Sequence, residues 1–200
     1  MQKIYIMLTH TGTILSNIIK SYTKTEYSHV SIALDEDLQE LYSFGRVNPY
    51  IAFVGGLVKE SLTSGTFKRF KNTNAGVYEL EVTDEQYEKI KNKIKTMFIH
   101  REEYKFNITG LFCVAINKKI KRPKTFYCAE FVKYVLESAG LNTSCLPEII
   151  KPEDFKKLPN MKMIYKGKLK KYRSKMKKLK EIQKHISPKV TIPTRAVVWV

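Results

Sequence analysis

The run Ile4-Tyr5-Ile6-Met7-Leu8 restricts the fold more than any other segment, because five consecutive apolar side chains must be hidden from water. Only Lys3 carries charge ahead of it. The run is shorter than a signal-peptide core, and no small-residue cleavage site follows. It therefore reads as a buried first strand over residues 3–8. No later segment reaches the ~18 apolar residues of a membrane span. The cysteines are three, Cys113, Cys128 and Cys145, too few and too scattered for a disulfide framework, and none forms a zinc-like pair. A reducing compartment, the cytosol, is the expected location, and nothing in the sequence calls for a metal or cofactor.

The elements that follow mix both periodicities. Thr11, Thr13 and Ser16 lead into a short helix carrying Ile14, Leu15, Ile18 and Ile19. Val30 to Leu34 alternates as a half-buried strand, Asp35-Glu36-Asp37 turns, and Leu41 to Phe44 returns as a second strand. Residues 45–56, with Asn48-Pro49 and Gly55-Gly56, read as a loop. Phe67 to Phe70 and Gly76 to Val82 read as strands. Thr83-Asp84-Glu85-Gln86 is a capping box opening a helix to about Arg101. Thr109 to Ile116 reads as an apolar helix. A further helix carries Phe131, Val132, Val135, Leu136 and Ala139 and stops at Gly140, and Met161 to Tyr165 reads as a last strand. With 43% hydrophobic residues, 12 Tyr and 10 Phe, the chain has the material for a packed core. The order implies an α+β domain.

Charge divides the chain. Residues 161–189 hold twelve Lys/Arg and one acid, Glu181, and so supply +11 of the net +17. The expected division is a catalytic domain over 1–166 and a basic, partly helical extension over 167–200. Leu169, Tyr172, Met176, Leu179 and Ile186 form a helical stripe amid the lysines. Such a stripe either packs lightly on the domain or lies on an anionic membrane surface. Nucleic acid is not the expected partner, since no RNA- or DNA-binding motif accompanies the charge.

Chemistry concentrates at two points. Cys128 stands where Phe126-Tyr127 passes into an apolar-periodic helix. A thiol at a helix N-terminus feels the positive dipole end and free N–H groups, which favour the thiolate. A lone cysteine is ordinarily core filler, and Val132 and Val135 at i+4 and i+7 keep that reading open. His29 opens the alternating strand and shares a face with Ser31 and Ala33, small residues that leave room around an imidazole. Cys113 and Cys145 lack comparable surroundings, as do His10, His100 and His185. An imidazole base needs a third group to orient it. With a five-residue loop over 35–39, Ser43 pairs across from Ser31 and joins the His29 face, while Glu40 is the nearest acid.

Tyr27-Ser28-His29-Val30-Ser31-Ile32, followed much later by Phe126-Tyr127-Cys128-Ala129-Glu130-Phe131-Val132, resembles the circularly permuted papain-like hydrolases, the permuted branch of the NlpC-type cell-wall peptidases related to lecithin:retinol acyltransferase. In that branch the His strand precedes the Cys helix, as here. The Thr11-Gly12-Thr13 turn with its helix and the stretch from Tyr104 to Ile116 are similar too, so that the resemblance covers roughly residues 1–166. It implies a papain-like, circularly permuted fold, an antiparallel sheet or small barrel packed on helices that include the Cys-bearing one. It also implies a thiol protease or amidase in which Cys128 attacks an amide or ester carbonyl and His29 is the base. Laying Leu41-Tyr42-Ser43-Phe44 on the family's returning strand puts Ser43 where a glutamate often stands, with Glu40 in reserve. The expected substrate is a small peptide, amide or lipid. Two other readings accompany this one: a lipid-directed thioesterase or acyltransferase tethered by the basic tail, and a weakly catalytic binding domain of the same fold.

Overall fold

A computed structural model describes residues 1–48, 50–51, 54–113 and 122–186. Its frame is a six-stranded sheet in which every neighbouring pair is antiparallel, packed against helices on both faces. The N-terminal run becomes β1 (Gln2–His10), and it lies inside the sheet between β2 (His29–Ala33) and β5 (Asn74–Val82). Outward from β2 come β3 (Leu41–Arg46) and the edge strand β4 (Gly55–Glu60). A two-stranded parallel ladder, β6 (Lys105–Phe106) with β7 (Thr125–Phe126), stands apart, and β8 (Lys162–Lys168) closes the far edge beside β5.

Because successive strand residues point to opposite faces, the apolar run of β1 feeds two cores. Ile4, Ile6 and Leu8 join Val30, Ile32 and Phe44 beneath α3 (Asp84–Ile99) and α5 (Cys128–Ser138). Tyr5 and Met7 join Ala33, Leu41 and Val77 on the other face, against Phe67 of α2 (Gly65–Arg69) and Leu169, Tyr172 and Met176 of α6 (Leu169–Ile186). The remaining helices are α1 (Ile14–Thr23) and the short α4 (Ile108–Cys113).

Local signals hold where they were strongest. The capping box opens α3, with Thr83 Oγ1 accepting from Gln86 N at 3.1 Å and Gln86 Oε1 accepting from Thr83 N at 3.0 Å. Helix α5 ends before Gly140, whose φ of 78° supplies the left-handed turn that lets Leu141 N reach Leu136 O at 3.1 Å. The hairpin register is the one a five-residue loop demands: Ile32 faces Tyr42 and Ala33 faces Leu41.

Three expectations are corrected. Residues 67–70 do not form a strand: Gly65–Arg69 is a helix whose Phe67 fills the second core. The stretch 45–56 is not loop throughout, for β3 runs to Arg46 and β4 begins at Gly55. The division at 166 falls inside β8, and α6 is no loose appendage. Leu169, Tyr172 and Met176 are buried, Tyr172 Oη donates to Glu36 O at 2.7 Å, and Lys180 pairs with Asp37. The apolar stripe of α6 thus serves the domain core as far as Met176, while Leu179 and Ile182 stay exposed. Residues 187–200 of the expected extension and the Val114–Ile116 part of the expected helix lie outside the described residues.

Tyr172→Ala should therefore behave as a core truncation. A loss of about 3 kcal/mol is expected, read as a fall in Tm, and a change within 0.5 kcal/mol would show that α6 is only laid on the surface.

Candidate active site

The segment before α5 is built to present Cys128. Phe126 is held in β7 by Phe106, and Asn107 N donates to Phe126 O at 2.9 Å. Tyr127 is extended, with its N–H donating to Glu130 Oε2 at 3.1 Å and its hydroxyl to Ile150 O at 2.9 Å. Glu130 also accepts from Asn107 Nδ2 at 3.3 Å, so one carboxylate ties the helix start to the β6 loop. Cys128 is then the first helical residue, where backbone N–H groups have no intrahelical partner. Phe44 of β3 packs on Phe126 and Phe131, each at 5.4 Å between ring centroids, which presses the start of α5 onto the sheet.

His29 begins β2 opposite Thr9 of β1 and lines the same cleft as Cys128. Its Nε2 lies 3.1 Å from Oε1 of Glu60, the last residue of β4, and Ser31 Oγ donates to the other oxygen of that carboxylate. Strand pairing accounts for the meeting. Glu60 faces Leu41, and Leu41 faces Ala33, so Glu60 shares the small-residue face of His29, Ser31 and Ala33 two strands away. With Nε2 given to Glu60, Nδ1 is the nitrogen left for the thiol.

Charge follows from this geometry. Burial pulls the His29 imidazole down, but the Glu60 carboxylate and the hydrogen bond to Cys128 more than offset it and raise the group to about 10. Burial pushes the Glu60 carboxyl up, and His29 with the Ser31 and Ser43 hydroxyls holds it below the ordinary 4.5. The pair is thus an imidazolium and a carboxylate at neutral pH. His10 differs: burial, then the charge of Lys20, lowers it, and its Nδ1 lies 3.3 Å from Ser28 Oγ.

Of the residues expected in the site, Cys128 and His29 come together. Ser43 is buried close by on the same face, but its hydroxyl lacks a hydrogen bond of ordinary geometry and does not reach the imidazole. Glu40 is elsewhere, accepting from the Tyr42 hydroxyl and the Lys59 ammonium. Glu60 occupies the orienting position assigned to Ser43 or Glu40. Its signal in the sequence is slight: Leu57-Val58-Lys59-Glu60 is short and follows a glycine pair that reads as a loop. Gly55, of that pair, and Gly45 on the neighbouring strand mark close approach. A Cβ on Gly55 would lie 2.8 Å from Phe106 Cγ and 2.9 Å from Gly45 O, and one on Gly45 would crowd Ser43 Oγ, Glu60 and His29 at 3.0, 3.4 and 3.5 Å.

The remaining walls of the cleft are mostly apolar, with Ile19, Phe44, Phe67, Phe106 and Tyr127 around an opening of about 80 Å³. Among the described residues no group of three or more His, Cys, Asp or Glu could hold a metal ion, and no helix is long and apolar enough to cross a membrane. No protein-family model matches the chain, and no curated protein and no solved structure matches it. Thiol, imidazole and carboxylate thus line one cleft, with the imidazole bonded to the carboxylate and the sulfur at a helix N-terminus.

The ion pair makes its contribution to stability pH-dependent with a definite sign. His29 is raised, so its share is complete below the ordinary 6.5 and fades as pH climbs through about 10. Glu60 is lowered, so its share is present above 4.5 and lost as acid takes pH through its depressed value. In a ¹⁵N-imidazole NMR titration His29 should stay cationic through pH 8, while His10 becomes neutral. Glu60→Gln should bring His29 down by more than one unit and Ser43→Ala by much less. Equal shifts in the two variants would remove Glu60 from the orienting role.

Proposed function

We propose that the protein is a cysteine-nucleophile hydrolase that cleaves an amide or ester bond through an acyl-enzyme, with Cys128 as nucleophile, His29 as proton carrier and Glu60 as the residue that positions His29. The observation that carries this reading is the convergence of Cys128, His29 and Glu60 from α5, β2 and β4 on one cleft, with His29 bonded to Glu60. The arrangement, with the His strand ahead of the Cys helix, is consistent with a permuted papain-like domain. A carboxylate in the third position removes the motive for reading the chain as a non-catalytic relative.

The steps follow from the charges. Cys128 Sγ attacks the carbonyl carbon as thiolate, and the oxyanion develops near the Cys128 N–H at the start of α5. His29 enters as an acid: its raised value makes it imidazolium at neutral pH, and it gives a proton to the leaving nitrogen or oxygen as the C–N or C–O bond breaks. The neutral imidazole then takes a proton from water, which attacks the thioester, and Cys128 leaves as thiolate. Glu60 keeps one imidazole tautomer in place and stabilises each charged form.

Two measurements test this. Iodoacetamide near neutral pH should alkylate Cys128 at least tenfold faster than the exposed Cys145, despite the burial of Cys128; equal or slower reaction would sink the nucleophile. A screen of acyl-peptide, cell-wall-fragment and lipid substrates should find turnover that Cys128→Ala abolishes and Glu60→Gln slows by roughly 10²- to 10⁴-fold. Turnover that survives Cys128→Ala would assign the activity to another group.

A further inference from the structure

The cleft contains a cation that the acyl chemistry leaves unused. Arg46, the last residue of β3, lines it together with His29, Glu60 and Cys128. Its Nη2 donates to Thr13 Oγ1 at 2.7 Å, and its guanidinium lies 5.6 Å from the centre of the Phe70 ring. Arg69 stands on the same Phe70 ring at 5.5 Å and on Tyr50 at 4.0 Å. Among the described residues neither arginine meets a carboxylate at ion-pair distance, and residues 61–74 contain Lys68, Arg69 and Lys71 without a single acid. The nearest acid in the cleft, Glu60, is already taken by His29 and Ser31.

An uncompensated guanidinium half-withdrawn from water is unusual, since charge removed from water is ordinarily paired. Burial, and then the charge of Arg69, both pull Arg46 below its ordinary value, so its protein surroundings disfavour the cation rather than support it. Arginine does not resolve this by losing its proton, and among the described residues Thr13 Oγ1 takes only one of its five fork-arranged N–H donors. The missing partner is an anion able to sit flat against that fork, within the same cleft as the sulfur.

We infer that Arg46 is an anion-binding subsite of the cleft, which selects substrates carrying a carboxylate or a phosphate monoester close to the bond attacked. The inference rests on the reading of this cleft as the place where Cys128 meets its substrate. The carbonyl lies at Cys128 while the anion accepts a bidentate bond from Arg46, and Arg69 adds a second positive charge beside it.

Alkylation of Cys128 by iodoacetate and by iodoacetamide, followed by mass spectrometry, tests the subsite, because the two reagents differ in one charge. The ratio of the iodoacetate rate to the iodoacetamide rate should fall about tenfold in Arg46→Gln and by less in Arg46→Lys, which keeps the charge but not the fork. In wild-type protein, butyrate or butyl phosphate should slow the reaction of Cys128 with iodoacetamide while neutral butyramide does not. Which anion is effective at lower concentration identifies the carboxylate or the phosphate. An unchanged ratio in Arg46→Gln, or protection by butyramide equal to that by both anions, would overturn the subsite. These outcomes stand apart from the nucleophile itself: slow iodoacetamide reaction at Cys128 with a charge-dependent ratio retains the subsite and removes the nucleophile, and fast reaction with an unaltered ratio does the reverse.

Discussion

Everything else in the molecule depends on β1 being covered on both faces. Ile4, Ile6 and Leu8 on one side and Tyr5 and Met7 on the other are each at most 5% exposed. A sheet with a central strand of this kind is stable only as the middle of a three-layer arrangement, at about 25 cal/mol for every Å² of apolar surface removed from water. Helices α3 and α5 form one outer layer, and α2 with α6 the other. This requirement explains why the basic C-terminal helix docks. Its lysines from Lys170 to Lys180 are exposed, while Leu169, Tyr172 and Met176 cover the second face, which would otherwise be open. The same requirement aims Cys128, because α5 must lie across β2 and β3 to cover the first face, and its N-terminus then ends beside the first residue of β2.

Within that frame the polar network solves a second problem. The Glu60 side chain is only 10% exposed and that of His29 only 21%, so either charge alone would be costly there. Each supplies what the other needs, and Ser31 satisfies the second carboxylate oxygen. An ion pair of this kind is poor evidence for net stability, since well-packed apolar residues often do as well. Its worth lies in fixing which imidazole nitrogen faces the sulfur. That is the property the proposed chemistry asks of it, and it is consistent with an acidic residue ending a strand otherwise built for packing.

The elements that could be read from the chain were those whose cause is local. The Thr83–Gln86 box, the glycine stop after Ala139 and the alternation of Val30 to Leu34 are decided within a few residues, and so is the turn that sets Ile32 against Tyr42. Cys128 and His29 belong to this class, each marked by its own helix or strand start. Glu60 does not. It reaches His29 only because β4 pairs with β3 and β3 with β2, a relation that passes through two registers and a glycine pair with the local signature of a loop. Phe67 to Phe70 likewise has the look of a strand because the helix there is five residues long, with too little sequence to show a 3.6-residue period. Tertiary packing, not propensity, decides both cases.

Placing the carboxylate on an edge strand has a mechanical consequence. Strand β4 has only β3 for a sheet partner, so backbone pairing on one side alone holds Glu60 in register. The opposite side is steadied by Phe106 of β6, which sits so close to Gly55 that no side chain is tolerated there. Phe106 is in turn the ladder partner of Phe126, two residues before Cys128. The start of β4 and the approach to Cys128 therefore rest on one residue, Phe106, a link between the two that does not pass through the imidazole.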